Sequence, residues 1–162
     1  MELTQERLKE LLHYDPVTGE FFLRMDWKTR KQGQRIGTRQ KSGYVTVFLG
    51  YTHAKEHYPA HRLAWFYMTG KWPAEQIDHI NAVKFDNRWT NLREASPTQN
   101  NYNRPHRSNT SVRGIRKVHR RYVISIRVDG KEKGLSFHTF EAAYQAYMEY
   151  TLPRAGEFFR PE

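Results

Sequence analysis

The sequence predicts an α+β fold built as two small modules, and three observations predict it. Apolar residues recur at helical spacing over residues 4–12, 61–68 and 140–150. Between them lie short β-branched and aromatic runs, of which residues 122–128 alternate with a period of two. A polar, unpatterned stretch, RPHRSNTSV at residues 104–112, separates the last such group from those before it and reads as a linker. The expected organisation is a first module over residues 1–103, the linker over 104–112 and a second module over 113–162.

In the first module, Thr4 is placed to cap a helix running to Leu12, with Leu3 and Leu8 as a hydrophobic staple. Residues 14–19, YDPVTG, are turn formers, and Phe21-Phe22-Leu23 reads as a short buried strand. Residues 27–55 contain no Asp or Glu, while Lys28, Arg30, Lys31, Arg35, Arg39 and Lys41 crowd one Gly- and Gln-containing segment. Cations without interspersed acid repel one another unless an anion is near, so this segment is expected to be a loop or hairpin meeting a polyanion backbone. The bland alternative is a solvated basic loop. Residues 44–49 suit a strand between Gly43 and Gly50. A helix over residues 61–68 follows Pro59, with Gly70 as its C-cap. His61, in its first turn, is expected to pack, with a metal role as the alternative; Trp65, Trp72 and Trp89 are expected to pack as well.

The second module has Tyr122, Ile124, Ile126 and Val128 on one strand face and Val123, Ser125 and Arg127 on the other. Asp129-Gly130 is a hairpin turn, residues 134–137 a third strand, and Thr139 the N-cap of a helix over 140–150. Three strands and one packed helix result.

Composition narrows the partner. There are 27 Lys+Arg against 17 Asp+Glu, a net charge of +10, which points to nucleic acid. The absence of cysteine excludes disulfides, thiolate metal sites and thiol catalysis together. No apolar run approaches a signal peptide or membrane span, so a soluble cytoplasmic protein without membrane association is expected.

The chemistry concentrates in residues 77–103, IDHINAVKFDNRWTNLREASPTQNNYN. His79 follows Asp78, Asn91 comes twelve residues after His79, and Asn100 nine after that. Residues 76–80 and 92–95 suit two short strands. Ser96-Pro97-Thr98-Gln99 is a capping box with proline at the first helical position, so Asn100 falls in the first turn of a helix and Asn103 one turn on. Such a unit brings residue 100 back towards residue 78. A carboxylate and an amide oxygen are hard ligands for a Mg²⁺-like ion, with a histidine across from them. Taken singly, an Asp-His pair is usually a salt-bridged surface pair and an asparagine cluster usually turn chemistry. Asn87 is expected to turn the loop; Asn103 either supports the site or touches DNA.

The Asp78-His79 pair, the run NRWTNL ending in Asn91-Leu92, and Gln99-Asn100-Asn101 resemble the HNH (ββα-metal) endonucleases, in their phage and homing-endonuclease branch. The resemblance implies a ββα-metal module that hydrolyses phosphodiester bonds of double-stranded DNA. It implies His79 as general base, Asn91 as the bridge that ties the loop, and Asp78 with Asn100 as ligands of one divalent metal, Mg²⁺ with Mn²⁺ as the alternative. Asn100 stands where many HNH enzymes have histidine, which resembles the H-N-N variant of nicking homing enzymes and implies one strand cut per binding event. SVRGIRK at 111–117, followed by RRYVISIRVDGKEKGLSFHTFEAAYQAY at 120–147, resembles the AP2 DNA-binding domain, whose three-stranded sheet enters the major groove backed by a helix. That makes Arg113, Arg116, Arg121, Ser125 and Arg127 the expected contacts there. Arg30, Lys31, Arg35 and Arg39 of the basic segment, with Arg93 and Arg104 beside the motif, are the expected phosphate contacts. AGEF at 155–158 resembles the tails of phage HNH-AP2 proteins, implying a phage or mobile-element origin and the host bacterial cytoplasm. A monomer would nick and a homodimer would cut both strands; the sequence leaves these open. The rivals are a non-catalytic, sequence-specific DNA-binding regulator and an RNA-binding module that stacks single strands on its aromatics.

Overall fold

The computed structural model describes residues 3–50, 57–103, 109–110 and 112–159; Arg104 and most of the expected linker lie outside them. The chain packs as two compact units, Met1–Pro97 and Thr98–Glu162. Each is a mixed α/β unit, and the described residues form small antiparallel sheets and four α-helices.

In the first unit, α1 (Gln5–Leu11) starts where Thr4 Oγ1 accepts the Arg7 amide at 3.2 Å and buries Leu8 and Leu11. It ends one residue earlier than the helical spacing predicts, because Leu12 is extended and opens β1 (Leu12–Asp15). Pairing of Leu12 with Leu23 and Tyr14 with Phe21 across β2 (Glu20–Leu23) buries all four on one face, so period two wins over period 3.6 at Leu12. The turn is therefore confined to residues 16–19. Asp15 sets it, accepting the Val17 amide at 2.9 Å and the Thr18 hydroxyl at 2.8 Å.

The basic segment supplies strands as well as loops: β3 (Arg35–Ile36) pairs with β2, and β4 (Thr38–Arg39) pairs with β5 (Val45–Phe48), which pairs with β6 (His57–Pro59). Helix α2 (Ala60–Thr69) follows, its expected C-cap Gly70 left-handed at φ 75°. One core joins Leu8, Leu12, Tyr14, Phe21, Val47 and Leu63, with Trp65 and Trp72 packed against it. The unit closes with the antiparallel pair β7 (Gln76–His79) and β8 (Leu92–Ala95), joined through a 3₁₀ turn at Trp89–Asn91.

The division between units falls one residue into α3 (Pro97–Asn103), which begins at the expected proline. In the second unit, β9 (Ile115–Val118), β10 (Arg121–Val128) and β11 (Lys131–Phe137) form an antiparallel sheet in the order β11-β10-β9. Asp129 and Gly130, at φ 51° and 75°, make the turn with both central residues left-handed. β11 starts three residues before the expected strand, and α4 (Phe140–Ala155) runs past the expected end at 150 with Pro153 inside it. The buried series Ala143, Tyr147, Thr151 and Ala155, each four residues from the last, explains the extension: one continuous face is buried, Ala143 and Tyr147 of it in a core with Ile115 and Ile124. No helix of the described residues is long and apolar enough to cross a membrane.

Gly19, at φ 75°, lets the β1–β2 turn approach the β7–β8 loop closely, since a Cβ there would lie 2.3 Å from the carbonyl carbon of Asn87. Gly19→Ala should therefore lower the unfolding free energy by about 2 to 4 kcal/mol, combining a left-handed alanine with a backbone clash. Urea unfolding checks this, and an unchanged midpoint would show that the turn and the loop do not pack in this way.

Candidate active site

Antiparallel pairing sets Asp78 opposite Arg93 and His79 opposite Leu92. Neighbouring strand residues project to opposite faces, yet Asp78 and His79 are only 5% and 4% exposed. A buried carboxylate needs compensation, and Arg93 provides it: its Nε donates to Asp78 Oδ2 at 3.0 Å, with little of either side chain in water. Arg93, expected as a phosphate contact, is thus engaged inside the hairpin.

The loop from β7 to the 3₁₀ turn is tied by amides. Asn91 accepts the Asn81 backbone N–H on Oδ1 at 3.0 Å, and its Nδ2 donates to Asn81 Oδ1 at 3.0 Å and to the Asp86 carbonyl at 2.7 Å. Asp86 accepts from Asn81 Nδ2 at 2.7 Å and from Arg88 Nε and Nη2 at 2.8 and 2.6 Å. The Arg88 hydrogen bonds, with help from Asn81, hold the Asp86 carboxyl down at about 2.

Asn87 faces the histidine. Its Nδ2 donates to the Phe85 carbonyl at 3.2 Å, so its Oδ1 is the atom 3.2 Å from His79 Nε2. An oxygen there requires a proton on Nε2, which places the lone pair of neutral His79 on Nδ1. The backbone of Asn87 is fixed in turn by the buried Tyr14 hydroxyl, which donates to its carbonyl at 2.7 Å. Burial lowers the pKa of His79 below its ordinary value, opposed by the Asn87 bond and by Asp78. The shift favours the neutral ring, the form that can take a proton. Beside it lie Tyr44 and His61, their ring centroids 6.0 and 5.3 Å from that of His79. Tyr14, Tyr44 and the orienting bond of Asn87 are absent from the set the sequence pointed to, whereas His61, expected to pack, lies against His79. Asn87 lay inside the quoted motif, but nothing along the chain says which way its amide faces.

Asn100 lies half-buried on α3, in the second unit, so the geometry described for the first unit is that of Asp78, His79, Asn87 and Asn91. Among the described residues no three His, Cys, Asp or Glu side chains converge as metal ligands. A Mg²⁺-type ion needs no such cluster, since it takes one or two carboxylates and completes its shell with water and phosphate. The buried Asp78 carboxylate, a hard oxygen donor, fits that class and does not fit a soft, multi-imidazole or thiolate site.

The expected phosphate contacts of the basic segment, Arg30, Lys31, Arg35 and Arg39, are exposed or half-exposed, unlike Arg93. Lys31 pairs with Asp26 at 2.8 Å and Arg35 with Glu20 at 2.6 Å; such solvent-exposed pairs are worth little and yield readily to a polyanion. Arg30 lies over Trp27, and Arg39 stacks 4.0 Å above the ring centre of Phe85. In the second unit, Arg116, Arg121, Ser125 and Arg127 share one sheet face by register and are exposed. Arg113 precedes that sheet and donates to the Tyr102 carbonyl at 2.8 Å.

Residues 58–102 match a family model described as HNH endonuclease. The span takes in both strands of the hairpin, its loop and Asn100, and amounts to well under half of the chain. The chain thus carries an HNH endonuclease domain and is, on that match, a nuclease enzyme. No curated protein matches it. One solved structure, described as DNA binding and cleavage by the HNH homing endonuclease I-HmuI, is similar at 22% identity over 90% of this chain and 83% of that chain, with a TM-score of 0.47.

The site also carries a pH signature. Burial pushes the His61 imidazole down to about 3, with the neighbouring His79 and Arg62 acting in the same direction. The unfolded chain protonates this residue below pH 6.5 or so, the folded chain only near pH 3, so stability present above about pH 6.5 is lost as the pH falls towards 3. In urea titrations, the drop in unfolding free energy between pH 7 and pH 4.5 should be smaller in His61→Phe than in wild type by about 2 kcal/mol. Identical drops would show that a neutral imidazole is not what the fold buries.

Proposed function

We propose that this protein is a metal-dependent DNA endonuclease that uses His79 as general base, with residues 1–103 as the nuclease module, 104–112 as linker and 113–162 as an AP2-like targeting domain. The observation that carries the proposal is the buried His79, its Nε2 held 3.2 Å from Asn87 Oδ1, inside the segment that matches HNH endonucleases. Nδ1 takes the proton of the attacking water, and Asn87 steadies the ring as that proton arrives. Asn91 keeps the loop closed around them. Asp78 and Asn100 would hold a divalent ion, Mg²⁺ or Mn²⁺, which when bound relieves charge at the scissile phosphate and the leaving 3′ oxygen. Arg93 holds the Asp78 carboxylate in place.

The substrate is double-stranded DNA, and a monomer with one such site nicks one strand. Support for DNA comes from the charge of +10, from Arg30, Lys31, Arg35 and Arg39 on the first unit, and from the open sheet face with Arg116, Arg121, Ser125 and Arg127. A phage-encoded enzyme of this kind acts in the host bacterial cytoplasm.

Incubation with supercoiled plasmid and Mg²⁺ or Mn²⁺ should give nicked circles, and chelation should stop the reaction. His79→Ala should lower the rate at least ~100-fold and Asn100→Ala comparably. Asn87→Ala should cost roughly 10-fold or more through misorientation. Gel shifts should show binding retained in all three, since phosphate attraction is spread over many cations. Asn100→His should keep activity, an imidazole replacing the amide oxygen. If wild type cuts no strand with any divalent ion, or His79→Ala cuts equally well, the proposal fails.

A further inference from the structure

His61 stands in the first turn of α2, and its ring meets that of His79 edge to face, with centroids 5.3 Å apart and planes at 69°. Tyr44, just ahead of β5, touches both rings, at 5.2 Å from His61 and 6.0 Å from His79. Tyr44 is itself held from the loop side. Lys84 Nζ lies 4.8 Å from the centre of the Tyr44 ring and donates to the Ser42 carbonyl at 3.2 Å.

A histidine has three things to offer a neighbour: a charge, a hydrogen bond or a flat ring. Burial disfavours the charged form of His61. Its Nδ1 is buried and, among the described residues, without a hydrogen-bond partner. What His61 is seen to present to His79 is the ring, met edge to face. The bond from His79 to Asn87, at 3.2 Å, lies at the long end of the normal range and by itself permits the imidazole to swing about it.

We propose that His61 is a positioning residue for the nuclease step: with the adjoining Tyr44 it forms an aromatic corner on one side of the His79 ring that holds the plane of that ring. The inference rests on His79 acting as the base. A base must keep its nitrogen within hydrogen-bond reach of the water it activates, so a loosened ring lowers the rate of the chemical step. DNA affinity, carried by cations elsewhere, is unaffected.

Steady-state cleavage of supercoiled plasmid in Mg²⁺ by wild type, His61→Ala, His61→Phe and Tyr44→Leu tests this. His61→Ala should lower kcat at least ~10-fold with KM within about 2-fold, and His61→Phe, which restores a flat ring, should recover kcat to within about 3-fold of wild type. A His61→Ala enzyme with wild-type kcat, or one changed only in KM, overturns the proposal. So does a folded His61→Phe as slow as His61→Ala, since a nitrogen would then be what matters. Should His61→Ala not fold, Tyr44→Leu decides: a fall in kcat alone supports the aromatic corner, and an unchanged kcat removes it. Wild type that fails to cut sinks the nuclease reading itself, whereas an active wild type with an unaffected His61→Ala sinks this inference alone.

Discussion

The buried amide of Asn91 is the constraint on which the site depends. A loop that leaves one strand and re-enters its partner carries backbone groups that must find partners once buried. Asn91 satisfies two of them from one side chain, the Asn81 N–H and the Asp86 carbonyl, bonds the Asn81 side chain as well, and donates its own backbone N–H to the Arg88 carbonyl at 2.9 Å. An aspartate has no donor for the Asp86 carbonyl, and a glutamine is one methylene too long for the same closure. With Asn91 in place, Asn87 is carried to the inner wall of the loop, and only there can it meet His79. The chain of cause runs from a loop-closing amide to the orientation of the His79 ring.

A second layer of restraint comes from the N-terminal part of the unit. Tyr14 is fully buried in the core and uses its hydroxyl on the Asn87 carbonyl, while the Trp89 amide donates to the Pro16 carbonyl at 3.0 Å. The β1–β2 hairpin thus braces the far side of the β7–β8 loop, and Gly19 is the residue that permits the approach. Residues 60 to 65 positions before the histidine help fix its partner. This is why a match over 58–102 does not by itself contain the whole support of the site.

That brace also marks where the sequence was legible and where it was not. Periodicity gave α1, α2 and the alternation of β10, and turn chemistry gave Gly70 and Asp129-Gly130, because these depend on residues within a few positions of one another. Leu12 was misplaced because both periods put it on a buried face, and only pairing with Leu23 decides between them. The spacing from Asp78 through Asn91 to Asn100 could be counted along the chain. The roles of Asn87, Tyr14, Tyr44 and His61 could not, since each is defined by a contact made across the fold. Arg93 shows the same limit: its charge was legible, but its engagement with Asp78 follows from strand register.

The electrostatics around His79 then follow from two opposed requirements. Burial favours the neutral imidazole; the adjacent carboxylate works against it by favouring the imidazolium. The Asp78 carboxylate is itself buried, so its charge has to be met by another group. Arg93, one strand away and shielded from water, takes up that charge at 3.0 Å without touching the histidine's own partner. Exchange of Arg93 for lysine would keep a cation but lose the planar guanidinium that reaches Oδ2 through Nε. The pairing in the β7–β8 register that brings Arg93 opposite Asp78 is thus also what allows a carboxylate and a neutral imidazole to occupy consecutive positions in one strand.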